Sequence, residues 1–342
     1  MRRFSRRDFL KAGGMALGSA AMARLLAACG LRPTPSLTPT TAPSAAPTAV
    51  PAIVETTSPT QVEAQPSAAP TTASYPDLAV ARGGEPEVLV RRSIAALGGM
   101  SRFVSKGANV VIKPNICVAY HTYEYAATTN PWVVATLVKL CLEAGASSVK
   151  VMDFGFGGTQ QAAYAISGIQ EQVQAAGGAM VPMPAFKYLP TPIPGATRLK
   201  VANVFEDVLK ADTLINVPIA KVHSLSRLTL GLKNLMGVVL DREELHRYLS
   251  ENLADLATLI RPQLTVVDAV RMMVSNGPTG GSLDDVKKLD TVIASPDIVA
   301  ADSYGATLFG VRPAGLPAVR VAAERGLGRS DLENLRIEEI QV

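Results

Sequence analysis

Asn109-Val110-Val111-Ile112-Lys113, then Asn130-Pro131, then Val149-Lys150-Val151-Met152-Asp153 is the stretch on which the fold turns. The first run is apolar up to its closing lysine and rich in β-branched side chains, so it reads as a buried strand. Asn130 supplies a helix N-cap and Pro131 a first-turn proline. The helix from Trp132 to Glu143 then stops at Gly145, a residue type suited to the C′ position. A second strand follows, ending at Asp153 and opening onto Phe154-Gly155-Phe156-Gly157-Gly158.

The alternation continues outward. A helix is expected over 159–176, a short strand over 179–183 and a strand over 212–217. Beyond these come a helix over 243–260, strands over 263–267 and 291–294, a helix over 297–308 and a last strand over 335–340. Strands alternating with helices imply an α/β fold, with a mostly parallel sheet and helices on both faces. The stretch 76–342 is long enough for one large domain or for two lobes, and both stay open. Ligands of such folds bind beyond the carboxyl ends of the strands. The pattern places Lys113, Asp153, Asn216 and Asp268 at those ends.

The first residues read as an address. Ser5-Arg6-Arg7-Asp8-Phe9-Leu10-Lys11 matches a twin-arginine export signal, with Arg6 and Arg7 as the pair. A Gly/Ala-rich run from Ala12 to Ala28 follows, too short and too small-residue-rich for a membrane span. Leu26-Ala27-Ala28-Cys29 resembles a bacterial lipobox, which implies cleavage after residue 28 and acylation of Cys29. Residues 29–75 are dominated by Pro, Thr, Ala and Ser and have little to bury, so they read as an extended tether. The expected organisation is a signal at 1–28, a lipidated tether at 29–75 and an α/β domain at 76–342. The expected location is the outer face of the cytoplasmic membrane. The translocase, the lipoprotein-processing enzymes and the membrane are the implied partners.

Six Lys and Arg residues (Arg2, Arg3, Arg6, Arg7, Lys11, Arg24) and one acid (Asp8) lie within the first 30 positions. The remainder carries 27 basic and 28 acidic residues, a net charge of −1. The basic character of the whole chain is therefore a property of the signal, and with one Trp it gives nucleic acid no footing as a partner. Cys117 and Cys141 remain once Cys29 is assigned to lipid; a disulfide between them stays open in an exported chain, and the favoured expectation is two small buried side chains. Neither a C-x-x-C pair nor an iron–sulfur or zinc spacing is present in the sequence.

Chemistry concentrates between Asn216 and His246, which holds two of the three histidines, His223 and His246, with Lys221 and Lys233 in an apolar setting. An unpaired ammonium is costly in such a setting, so repeated cations there point to a site for an anion, a metal or a covalent cofactor. Lys113, Asn115, Asn130, Lys221 and Asn234 are the candidate anion-binding residues. A neutral imidazole suits His223 as base, and a lysine in an apolar pocket suits Lys233 as nucleophile or point of attachment for a cofactor. His246 and Asp268 are the candidate metal ligands. The bland alternative for Lys113 is a strand-end lysine in solvent, and for His246 a solvated helix face.

Together these motifs resemble the domain-of-unknown-function family 362. The resemblance rests on K-P-N at Lys113–Asn115, T-N-P at Thr129–Pro131 and E-A-G-A at Glu143–Ala146. Its centre is N-V-P-x-x-K-x-H at Asn216–His223 and T-x-G-x-K-N-L-M-G at Thr229–Gly237, completed by V-D-A at Val267–Ala269 and N-G-P-T-G-G at Asn276–Gly281. That family implies no reaction. A fainter similarity links the order His223, Lys233, His246 to nickel-pincer lactate racemases. There it implies a catalytic base, a cofactor-bearing lysine and a nickel ligand. The glycine-rich turn at Phe154–Gly158 lacks the second catalytic histidine of those enzymes, and His121 lies elsewhere.

Three functional classes follow. One is a lipid-anchored protein that holds an anionic substrate or cofactor, with a nickel, iron or zinc ion as an open element, for redox or proton-abstraction chemistry. The second is a non-catalytic lipoprotein that collects a small anion or metal. The third is a structural module of the cell envelope.

Overall fold

The computed structural model describes residues 74–342. The signal segment, nearly all of the tether, and with them Arg6, Arg7 and Cys29, lie outside the described residues. The chain begins with β1 (Leu78–Arg82), α1 (Pro86–Ala96), β2 (Asn109–Pro114), α2 (Pro131–Glu143) and β3 (Ser148–Val151). It continues with α3 (Gln160–Ile166), α4 (Ile169–Ala175), β4 (Ala179–Met180), a hairpin of β5 (Tyr188–Pro192) and β6 (Val201–Phe205), and α5 (Glu206–Leu209). β7 (Thr213–Val217) runs almost directly into β8 (Ile219–His223), β9 (Arg227–Thr229) and α6 (Gly231–Asn234). The rest is α7 (Arg242–Leu245), α8 (Leu249–Leu259), β10 (Leu264–Met273), β11 (Val286–Ser295), α9 (Ile298–Thr307), α10 (Pro317–Glu324) and β12 (Ile337–Gln341).

The main sheet has the order β12-β1-β11-β10-β7-β2-β3-β4. Every neighbouring pair is parallel except those of β11, which runs antiparallel to both β1 and β10. The expectation of a mostly parallel α/β sheet therefore holds. The described residues form one compact unit rather than two lobes. Side-chain alternation along β2 builds the two faces. Val110 and Ile112 join a core with Ile94 of α1 and Val134, Leu137 and Val138 of α2. Val111 joins the opposite core with Leu214, Leu253 and Leu256 of α8, and Val299 of α9. Each such buried aliphatic side chain contributes about 1.5–3 kcal/mol. Cys141 sits inside the first core, where burial pushes its thiol up to about 12, and both Cys117 and Cys141 are buried free thiols.

Several elements depart from the pattern expected from sequence. The helix at 159–176 is two helices, because Gly168 takes φ +78° and the Ser167 hydroxyl accepts from the Ile169 amide. The helix at 243–260 breaks after His246. The Asn252 side-chain amide donates to the Glu244 and Leu245 carbonyls, ending α7 and starting α8 afresh. The strand at 263–267 extends to Met273, so Asp268 lies mid-strand and not at a strand end. β10 is long because it serves two partners in turn. It pairs with β7 through Leu264 and Thr265, then with β8 through Asp268 and Met273. β8 and β9 thus prolong the sheet beyond the end of β7 and carry Lys221 and His223 with them.

α6, which carries Lys233, is too short to hold itself and is fastened by α9. Asp302 is buried, and its carboxylate accepts from the Gly231 amide at 2.5 Å and the Leu232 amide at 2.9 Å. A Cβ on Gly231 would stand 2.7 Å from that carboxylate, so glycine is required at the contact. Asp302→Ala leaves both amides without an acceptor, at about 1–3 kcal/mol each. Urea denaturation is expected to show that loss, with Asp302→Asn milder because its amide oxygen keeps one of the two bonds.

Candidate functional site

A cavity of about 440 Å³ opens at the carboxyl ends of β2 and β3 and along β8. Its floor is an ion pair. Lys113, 1% exposed, places Nζ 2.8 Å from Asp153 Oδ1. The same ammonium donates to Asn234 Oδ1 at 2.7 Å and to the Pro114 carbonyl at 2.9 Å. All three N–H groups of Lys113 are thereby committed. Burial pushes its pKa down, against the pull of Asp153. Asp153 Oδ2 accepts from the Ile116 amide at 2.6 Å, and Asn234 Nδ2 donates to Asn216 Oδ1 at 2.8 Å. Asn216 in turn donates to the Gly231 carbonyl at 3.0 Å, and Asn115 Nδ2 donates to Asn234 Oδ1 at 3.1 Å. Lys113, Asn115, Asn216 and Asn234 therefore form one network across the ends of β2 and β7 and into α6. Lys113 and Asn234 shape the floor rather than offering free donors. Gly237 is packed so closely on the pair that a Cβ there would collide with Asp153 Oδ1 and Lys113 Nζ.

The walls carry unspent positive charge. Lys221 on β8 is 1% exposed and makes one hydrogen bond, to the Ala127 carbonyl at 2.6 Å. Lys233 on α6 lines the same cavity, and neither lysine has a carboxylate partner among the described residues. Burial, reinforced by the charge of Lys221, lowers the Lys233 amine to about 8. Arg242 completes the cationic wall. Its guanidinium donates to the Phe154 carbonyl at 2.7 Å and lies 4.7 Å from the centre of the Phe154 ring. Two carboxylates line the cavity, Asp153, which Lys113 neutralises, and the exposed Glu243.

The two histidines have different roles open to them. Burial, and then the charge of Lys233, depresses His223 to about 3, so its ring is neutral at physiological pH. Its Nδ1 accepts from the Leu225 amide at 3.0 Å. The neutral ring therefore keeps its proton on Nε2 and presents a donor. In this tautomer the ring offers a donor where the sequence suggested a base. His246 lies at the exposed rim, and burial followed by the charge of Lys233 pulls its pKa down.

Two expected site residues lie elsewhere. Asn130 is the N-cap of α2, its Oδ1 accepting from the Trp132 amide at 3.0 Å. Asp268 Oδ2 accepts from the Asn130 amide at 2.7 Å, and Oδ1 from the Val270 amide at 3.0 Å. Burial raises Asp268 to about 6. Both bind strand to helix and neither lines the cavity, so His246 and Asp268 do not share a metal. His121 also lies outside it, stacked on Tyr125 with ring centres 4.3 Å apart. A metal held by side chains alone does not fit. No three His, Cys, Asp or Glu groups converge among the described residues, the Nδ1 lone pair of His223 is engaged, and the walls are cationic. Arg242 was hidden in the sequence, whereas Asp153 was already placed at a strand end. Arg242 stands in an ordinary charged helix start, and Asp153 shows its role only beside Lys113.

Removing one partner of the floor pair strands a buried charge. Lys113→Met is expected to cost about 3–5 kcal/mol in chemical denaturation. Lys113→Met combined with Asp153→Leu is expected to recover most of that loss, because no charge is left buried.

Comparison with known proteins places this geometry in a group. The chain is 28% identical over 254 residues to the thylakoid-associated protein sll1697 of Synechocystis sp., covering 71% of this chain and 76% of that protein. Among solved structures it is similar to the lactate racemase apoprotein of Thermoanaerobacterium thermosaccharolyticum, with a TM-score of 0.43 and 13% identity. That match covers 67% of this chain and spans only 56% of the racemase chain. The family model described as a domain of unknown function, DUF362, matches residues 110–307, from the first central strand to the last turn of α9. Those residues contain β2, β3, the β8–β9 extension, α6 and every side chain that lines the cavity, and the chain belongs to the DUF362 family.

Proposed function

We propose that the cavity takes a small organic anion and moves a proton next to the bound charge. The observation that carries this reading is Lys221, an ammonium sealed from water with one carbonyl partner and a second lysine beside it. Buried charges persist where something pairs with them, and a ligand anion supplies the missing partner. Lys221, Arg242 and the protonated form of Lys233 hold the charge. His223 donates from Nε2. With a pKa of about 8, roughly a tenth of the Lys233 amine is unprotonated at neutral pH, which suits it as a base. His246 at the rim, its pKa lowered by burial, is the second group able to take a proton.

Calorimetric titration with acetate, lactate and inorganic phosphate tests the reading. At least one is expected to bind at pH 7, with affinity at least tenfold weaker in Lys221→Met and in Lys233→Met. The sign of the pH dependence follows from Lys233. Its charge is present below about 8 and lost above it, so affinity falls as pH rises through that value. Lys233→Arg stays charged and is expected to remove that fall. Absence of binding by all three anions in the folded protein would sink the proposal.

We also propose that the protein works outside the cytoplasm on a lipid anchor. Arg6-Arg7 and Leu26-Ala27-Ala28-Cys29 support this. Mass spectrometry of the native protein is expected to find an acylated Cys29 at the mature N-terminus. Arg6→Lys with Arg7→Lys is expected to leave the uncleaved chain in the cytoplasm.

A further inference from the structure

The cationic interior explains one half of the cavity. The mouth is different in kind. Phe156, 59% exposed, and Leu225, 67% exposed, both line it and both stand in water. The same cavity is also lined by the apolar side chains of Ile116, Met236 and Phe154. Single exposed apolar side chains are ordinary on a protein surface. Here two large ones share one opening with an interior that holds uncompensated ammonium groups. Neither belongs to the chain's regular elements. Phe156 projects from the glycine-rich turn after β3, and Leu225 from the turn between β8 and β9, whose backbone amide holds His223. Both turns are thus fixed at their bases by the site itself. A ligand that is only a small anion would use the lysines and leave both side chains in water. One with an apolar tail would cover them.

We propose that the ligand is an amphiphile, with an anionic head at Lys221 and Lys233 and a short hydrocarbon tail that leaves the cavity between Phe156 and Leu225. This deepens the anion-binding reading and rests on it. The head is a carboxylate or a phosphate monoester, since both satisfy two ammonium groups and a guanidinium. The tail gains from removing methylene surface from water, about 0.8 kcal/mol for each CH₂, or close to fourfold in affinity.

The test is calorimetric titration of the full chain with two homologous series below their micelle concentrations. One runs from acetate to octanoate, the other from methyl phosphate to octyl phosphate. Affinity is expected to climb about three- to fourfold per methylene over the first several carbons in at least one series, and the series that climbs identifies the head. 1-Hexanol, which has the tail without the head, is expected not to bind. Phe156→Ser combined with Leu225→Ser is expected to bring the slope below twofold per methylene. Both side chains are exposed, so the variant is expected to fold, and each single substitution serves as a check. A flat response in both series, with acetate or methyl phosphate still bound, overturns the amphiphile and leaves the anion site standing. A slope unchanged in the double variant also overturns it. Failure of every member of both series to bind overturns the anion site as well.

Discussion

Lys113 and Asp153 meet 2.8 Å apart in a place almost closed to water, and much of the molecule is arranged so that they can. Taking an ammonium and a carboxylate out of water is costly, and their attraction offsets the cost only where the remaining donors and acceptors are also satisfied. Each requirement is met by a different element. β2 supplies the lysine, the turn after β3 supplies the aspartate, and α6 supplies Asn234. The loop after β2 supplies the Ile116 amide, and the turn at Gly237 comes close enough to close the lid. The parallel sheet brings these ends side by side, and α9 holds α6 against them through Asp302. A site that has spent one lysine entirely on architecture leaves two others without a carboxylate partner among the described residues.

The contrast also shows how much could be read beforehand. The β2–α2–β3 unit was legible because its signals were local: a β-branched run, an Asn-Pro helix start, a glycine stop. The interruptions at Gly168 and Asn252 were not, since each depends on a side chain or a glycine acting inside an otherwise helical pattern. Asp268 misled because a strand's end cannot be seen when its second half pairs with a new neighbour. Among site residues, Lys221, Lys233 and His223 were visible as polar groups in an apolar stretch and His246 only as the second histidine of that stretch, and all four line one cavity. Which lysine is already paired is a fact of three dimensions. Lys113, Lys221 and Lys233 look alike in sequence and differ entirely in their partners.

Asn130 and Asp268 illustrate a general trap. Both lie in motifs that mark the family, and both are buried and polar, as functional residues often are. Their work is to satisfy the exposed amides at the start of α2, a demand that every helix start makes. A polar residue inside a family motif is thus as apt to be a joint as a tool, and only its hydrogen-bond partners tell which.

His223 carries a consequence for how the cavity responds to its surroundings. With its Nδ1 held by the Leu225 amide and its pKa near 3, the ring neither gains nor loses charge between mildly acid and mildly alkaline conditions. It behaves like a peptide N–H mounted on a side chain, a constant dipole rather than a sensor. Acidity therefore acts on the cavity through Lys233 and His246, while the His223 imidazole offers the same hand at every physiological pH.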